Sequence, residues 1–334
     1  ALGNNSCGAH SIVWGKTSDN VIALTSLLSD GTVADLRHLD GEGLRSKFSQ
    51  EGLEGDIYRR LNELASNVRG EIEARYPKIL RRVSGYNLDE LGIDGFDMAR
   101  FVVGSEGTLV AITEAKLKLV PIPSHKALAV IHFDEMLDSM EATVSTLEEK
   151  PAAVELIGSM ILRQAKTNSE YARMIDFIEG DPEAVLVVEV TGEDEIELES
   201  KLDSLEKRMR NGRHGYAFRR LVAIEDQSKV WAVRKAGLGL MMNVKGNSKP
   251  LPFVEDTAVA PEVLPEYVRR FEQIIHDHDT TAGYYGHASV GCLHIRPLLN
   301  LKDRMDVDKM VSIASDISDL VLEFGGAMSG EHGD

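Results

Sequence analysis

Two imidazoles, His287 and His294, stand seven positions apart in Gly286-His287-Ala288-Ser289-Val290-Gly291-Cys292-Leu293-His294-Ile295-Arg296-Pro297, separated mostly by small residues. On a straight strand successive side chains alternate faces, so an odd spacing sends the two rings to opposite sides. A turn or bulge at Gly291 cancels that parity, because glycine accepts backbone angles that other residues avoid. Both rings then converge. Gly330-Glu331-His332-Gly333 adds a carboxylate and another imidazole among small residues, and a third ligand is expected there. Two histidines and one carboxylate with an open position suit a catalytic metal, zinc or iron. On spacing alone, a structural histidine pair is the commoner reading.

The elements that must position these groups alternate along the sequence. Val21 to Leu28 reads as a strand, turned by Ser29-Asp30-Gly31-Thr32 into a partner at Val33 to Leu36. From Leu44 to Leu91 the pattern is helical, with Ile57, Leu61 and Leu64 on one face. A basic cluster, Lys78, Arg81 and Arg82, could steer an anionic cofactor, and on its own reads more readily as a solvated helix end. Phe101 to Val103 reads as a strand entering Gly104-Ser105-Glu106-Gly107, with a strand leaving at Thr108 to Thr113 and Leu117 to Val120 finishing the sheet. Pro121-Ile122-Pro123 then reads as a linker. Beyond it, strands are expected at 127–133, 153–156, 184–190, 216–222, 253–259 and in a hairpin over 284–297. Helices are expected at 136–148, 160–177, 195–209, 227–242, 261–276 and 305–324. Two α–β repeats sharing one antiparallel sheet, with helices on one face, give an α+β layered domain.

Composition narrows the function. A length of 334 residues accommodates two domains with separate cores. The net charge of −17 argues against nucleic-acid binding, which needs a basic stripe to neutralise phosphates. Cys7 and Cys292 lie in different motifs and offer no disulfide framework, so a reducing, cytoplasmic setting is expected. No apolar run approaches the ~18 residues that cross a bilayer.

Two glycine-rich stretches could take a ligand. Leu2 to Ser11, followed by Trp14 to Val21, is dense in glycine and short polar residues. Small side chains let a ligand lie against the backbone, whose N–H groups can meet phosphate or ring carbonyls. The Gly104 to Gly107 turn can approach a flat ring in the same way. From their residues alone, a solvated loop and an ordinary hairpin turn describe them as well.

Read together, these stretches resemble the FAD-linked 2-hydroxy-acid dehydrogenases. The opening is similar to that family's NNSxGxxSxxYGxTxDxV pattern, with Trp14 at its aromatic position. The turn is similar to GSEGTLGIITE, with Val110 where the family has glycine. GHASVGCLHIRPLL and GGAMSGEHGD resemble its substrate domain. The resemblance implies the second half of an FAD-binding domain at residues 1–122 and a ferredoxin-like antiparallel-sheet substrate (cap) domain at 123–334. It implies FAD contacts at Asn5, Ser6, Gly8, Ser11, Gly15, Asp19, Gly104, Glu106, Gly107 and Thr108. It also implies a divalent metal, zinc first and iron or manganese after it, on His287, His294 and Glu331. His332 is then the general base, while Arg234 and Arg296 hold the substrate carboxylate, with Lys249 a further candidate.

The implied reaction is oxidation of a D-2-hydroxy acid of the lactate, glycolate or 2-hydroxyglutarate type. Its electrons pass to a quinone, a cytochrome or an iron–sulfur segment, in the cytoplasm or at the membrane periphery. The insertion between Ser29 and Leu91, with the HIRP form of the hairpin, is most similar to large members carrying an iron–sulfur segment. The family's pyrophosphate loop has no counterpart here, so the sequence reads as an internal fragment, expected to purify without FAD. Two rivals stay open on the residues themselves: a metal-dependent hydrolase using His287, His294 and Glu331, and a non-catalytic binding module.

Overall fold

The computed structural model describes residues 1–92 and 95–333. Asp334, the last residue of the terminal motif, lies outside them. The chain forms two compact units. The first comprises Ala1–Lys78, Arg82–Pro121 and Ser329–Asp334; the second comprises Ile79–Arg81 and Ile122–Met328. Among the described residues, no helix is long and apolar enough to cross a membrane.

The first unit is built on a five-stranded antiparallel sheet: β1 (Val21–Leu27), β2 (Val33–Leu39), β3 (Leu91–Gly92), β4 (Gly95–Asp97) and β5 (Ala111–Leu117), in the order β3-β4-β2-β1-β5. Asp30 takes a 2.9 Å hydrogen bond from the Thr32 N–H and Gly31 adopts φ +88°, which closes the β1–β2 turn. The expected long helical stretch is instead three helices, Gly41–Ser49, Leu53–Asn67 and Arg69–Arg75. Leu53–Asn67 buries Tyr58 and Ala65 and packs Ile57 and Leu61 of the expected face against the same core, while Leu64 turns outward. The strand expected before the Gly-Ser-Glu-Gly turn is a short helix, Met98–Val102, capped by the Asp97 side chain through the Arg100 N–H at 3.0 Å. Arg81 is fully buried rather than solvated, and Arg82 pairs with Asp89 at 2.6 Å.

The second unit carries seven strands: β6 (His125–Phe133), β7 (Ala153–Gly158), β8 (Ala184–Gly192), β9 (Ala217–Leu221), β10 (Lys249–Pro250), β11 (Ala282–His287) and β12 (Cys292–Leu299). Their order is β10-β12-β11-β7-β8-β6-β9, and every neighbouring pair is antiparallel. The run β7-β8-β6-β9, with helices Met136–Leu147 and Glu195–Gly212 in its two crossovers, is the ferredoxin-like arrangement.

Helices cover both faces of this sheet, not one. Ala127, Ala129 and Ile131 of β6 pack with Met140, Leu202 and Phe271, whereas Leu128 and Val130 pack with Ile161, Leu162 and Val233. Burial on both faces explains why β6, β7 and β8 read as nearly continuous apolar runs. Phe253 to Val259 is not a strand; Ala258 alone bridges to Cys292 and Ala327. That loop carries two buried carboxylates, Glu255 and Asp256, which meet Arg296 and Cys292.

Candidate functional site

The β11–β12 hairpin sets the geometry. Its register opposes Tyr285 to His294 and His287 to Cys292, so His287, Tyr285, His294 and Arg296 all project from one face. The His287 and His294 rings lie edge to face with centroids 5.5 Å apart, and Tyr285 lies 4.8 Å from His294. The connection is a single 3₁₀ turn, Ala288–Val290, closed by Gly291 at φ +66°. A Cβ on Gly291 would stand 1.9 Å from the Val259 carbonyl oxygen, so glycine is required there for space as well as for conformation. Gly291→Ala should therefore lower stability by about 2–4 kcal/mol, left-handed strain and a backbone clash together. Urea denaturation checks this, and a change below ~0.5 kcal/mol would refute it.

Each ring is anchored through Nδ1. His287 Nδ1 lies 2.7 Å from Glu155 Oε1, and His294 Nδ1 lies 3.3 Å from the Glu255 carbonyl oxygen. A carboxylate or carbonyl on one ring nitrogen fixes the tautomer and orientation of a histidine that offers its other nitrogen to a metal. The second unit thus contributes two oriented imidazoles, both well buried, which fits a soft-to-borderline divalent ion.

Glu155, in the middle of β7, is fully buried. Its other oxygen, Oε2, accepts from Arg234 Nε at 2.7 Å and Nη2 at 2.6 Å. Burial pushes this carboxyl up, but His287 and Arg234 outweigh burial and hold it below the ordinary glutamate value. The Arg234 guanidinium also lies 5.1 Å over the Tyr285 ring. Arg296 pairs with the Glu255 carboxylate, and Cys292 Sγ is 3.7 Å from Asp256 Oδ1. Burial raises the Tyr285 hydroxyl above the usual phenol range, against the opposing pull of Arg296. Lys249 Nζ is bound to the Val244 carbonyl at 2.5 Å.

Sequence reasoning missed Glu155, Glu255, Asp256 and Tyr285. The signal for the first was a lone glutamate inside the apolar run Ala152-Ala153-Val154-Glu155-Leu156-Ile157. A charge inside a buried strand is costly unless it is paired.

The first unit brings the two glycine-rich stretches together. The Gly104 N–H donates to the Leu2 carbonyl at 2.9 Å and the Glu106 N–H to the Gly3 carbonyl at 2.8 Å. Asn5, buried at φ +47°, accepts the Ser18 N–H at 2.9 Å, while its Nδ2 has no hydrogen-bond partner. The Thr17 hydroxyl donates to the Ser6 carbonyl at 2.7 Å, and the Ser11 N–H donates to the Gly8 carbonyl at 3.0 Å. Asp19 accepts the Lys16 N–H at 2.8 Å beside Gly15, whose φ is +69°.

Gly104, Glu106 and Gly107 all have positive φ, and the Thr108 hydroxyl closes the turn onto the Ser105 carbonyl at 2.6 Å. Within the same unit, Gly333 lies against Glu106, where a Cβ would stand 1.9 Å from Oε1. The preceding His332 is half-exposed, with Nε2 3.5 Å from Glu331 Oε1. These backbone hydrogen bonds lace the two stretches together, and the buried Asn5 Nδ2 beside them is a donor that a polar ligand could use.

A sequence profile described as "FAD linked oxidases, C-terminal domain" matches residues 122–334. The D-2-hydroxyglutarate dehydrogenase of Escherichia coli (strain K12) is 30% identical over 347 residues, covering 99% of this chain and 34% of that protein. The enzyme of the same name from Pseudomonas putida is 29% identical over 342 residues with the same coverage. Glycolate oxidase subunit GlcD of Bacillus subtilis is 26% identical over 244 residues, 72% of this chain and 49% of that one. The chain thus spans 34% of the length of those dehydrogenases.

Among solved structures, alkyldihydroxyacetonephosphate synthase matches with a TM-score of 0.59 at 14% identity, over 97% of this chain and 52% of that one. p-Cresol methylhydroxylase matches at a TM-score of 0.54 and 10% identity, over 93% and 57%. These two likenesses carry the fold alone.

Proposed function

The chain belongs to the FAD-linked oxidases, and on that premise we propose that it is a catalytic part of an enzyme oxidising a D-2-hydroxy acid to the 2-oxo acid. The observation that carries this reading is the pair of imidazoles on one sheet face, each oriented through Nδ1, with the Arg234 guanidinium fixed on the same carboxylate as His287. The relatives named D-2-hydroxyglutarate dehydrogenase support the substrate class. A hydrolase reading would leave the two laced loops of the first unit without a role, and the family does not favour it.

In this reading Asn5, Ser6, Gly8, Ser11, Gly15, Asp19, Gly104, Glu106, Gly107 and Thr108 line the flavin. FAD supplies the hydride acceptor when bound. His287 and His294, with Glu331 as the carboxylate the family resemblance implies, would hold a divalent metal, zinc by the donor set and iron or manganese as its nearest alternatives, which would supply Lewis acidity at the substrate hydroxyl. His332 accepts the hydroxyl proton as the α-hydrogen leaves as hydride. Arg234 and Arg296 take the substrate carboxylate and orient the reacting carbon. The reduced enzyme passes its electrons to a quinone, a cytochrome or an iron–sulfur segment of the whole protein.

The test is anaerobic mixing of the full-length flavoprotein with D-lactate, glycolate and D-2-hydroxyglutarate. At least one should bleach the flavin absorbance within seconds, and L-lactate and L-2-hydroxyglutarate should not. Flavin that bleaches with dithionite but with none of the acids refutes the reading.

A further inference from the structure

Glu155 touches both halves of the proposed chemistry, and no motif names it. It sits midway along β7 with no exposure to solvent, and its two oxygens have different tasks. Oε1 holds His287 Nδ1 at 2.7 Å; Oε2 holds Arg234 Nε and Nη2 at 2.7 and 2.6 Å.

The first contact makes Nε2 the nitrogen that His287 presents to a metal. The second occupies one edge of the guanidinium, Nε with Nη2. Nη1 then remains as the donor group that does not face Glu155, the one the proposed clamp would use. Tyr285 beneath the guanidinium, 5.1 Å from its carbon, holds the plane of the fork. An apolar side chain could fill the same place in the sheet without the desolvation penalty that a buried carboxylate incurs. Packing alone therefore gives no reason for a charge here.

We propose that Glu155 is a positioning residue that couples the metal site to the substrate-carboxylate clamp, fixing His287 for the one and Arg234 for the other. The inference rests on the 2-hydroxy-acid reading above. It assigns Glu155 no proton transfer and no direct contact with substrate.

The experiment uses the full-length flavoprotein with its metal removed. Co²⁺ affinity is measured by calorimetric titration for the parent and for Glu155→Gln. KM and kcat are then measured at saturating Co²⁺ for the acid that bleaches the parent's flavin and for its 1-carboxamide. Glu155→Gln should weaken Co²⁺ binding ~10–100-fold, the usual effect of losing the partner of a ligating histidine. It should also raise KM for the acid while leaving KM for the carboxamide, which lacks the charge Arg234 would clamp, unchanged.

Co²⁺ affinity within twofold of the parent overturns the proposal, as does an equal change in KM for acid and amide. A purely structural ion pair would give one of those results. If Glu155→Gln does not fold, Glu155→Leu/Arg234→Met, which removes both charges, takes its place. Its Co²⁺ affinity must fall by a similar factor, and parent-like affinity overturns the proposal. A parent protein that binds no Co²⁺ and is bleached by no 2-hydroxy acid refutes the underlying reading instead, so the two failures are distinguishable.

Discussion

In the full-length protein, His287→Ala or His294→Ala should remove bound metal and abolish 2-hydroxy-acid oxidation while the flavin absorbance is retained. Both residues stand on the β11–β12 hairpin of the second unit, whereas the loops proposed to line the flavin belong to the first. Losing one neutral imidazole removes a direct bond to the ion, and the remaining ring cannot replace it because its Nδ1 is already held, by Glu155 at His287 or by the Glu255 carbonyl at His294. His332→Ala should behave differently. Half-exposed in the first unit and proposed as the base, it should leave metal content intact and slow turnover by ~10²–10⁴-fold. Metal content by elemental analysis and turnover with a dye acceptor, measured side by side, decide the matter. A His332→Ala protein that loses metal while His287→Ala keeps it would reverse the assignment of ligand and base.

How far the sequence announced this site depends on which kind of signal each residue leaves. The hairpin histidines were legible because glycine marks the turn and the register then follows from strand alternation. The α–β order of the second unit was legible from apolar periodicity, but the faces of its sheet were not. A strand buried on both sides has no alternation, so β6 and β8 could not show that helices cover each face.

The Phe253 to Val259 stretch was misread for a related reason. Its apolar residues are those of a strand, while Glu255 and Asp256 turn into the site through long-range contacts that no local pattern encodes. Phe101 to Val103 reads as strand by propensity, yet Met98–Val102 is a helix whose first turn the Asp97 side chain caps. Glu155 is the largest omission. Its partners are 79 and 132 positions away, so only the fold could reveal them.

Those same partners make Glu155 the residue whose neighbours control the stability of the second unit. Arg234→Met should destabilise that unit by about 3–5 kcal/mol, because it leaves a fully buried carboxylate with only His287 to offset burial. Glu155→Leu/Arg234→Met should lie much closer to the parent, since removing both charges of a buried pair leaves neither stranded. The sequence contains two tryptophans, and Trp231 is the one in the second unit. Trp231 fluorescence in a Trp14→Phe background therefore reports urea unfolding of that unit.

The pH dependence has a definite sign. Glu155 is held below its ordinary value of 4.5 by His287 and Arg234 against burial, so near pH 4.5 the unfolded carboxyl takes up a proton while the folded one stays ionised. Its stabilisation is thus complete above that pH and is lost as the pH falls from 4.5 through the lower folded value. The double variant should lose this part of the acid sensitivity. If Arg234→Met and the double variant unfold at the same urea concentration at neutral pH, the carboxylate is not stranded by loss of the arginine, and His287 alone must be sufficient to hold it.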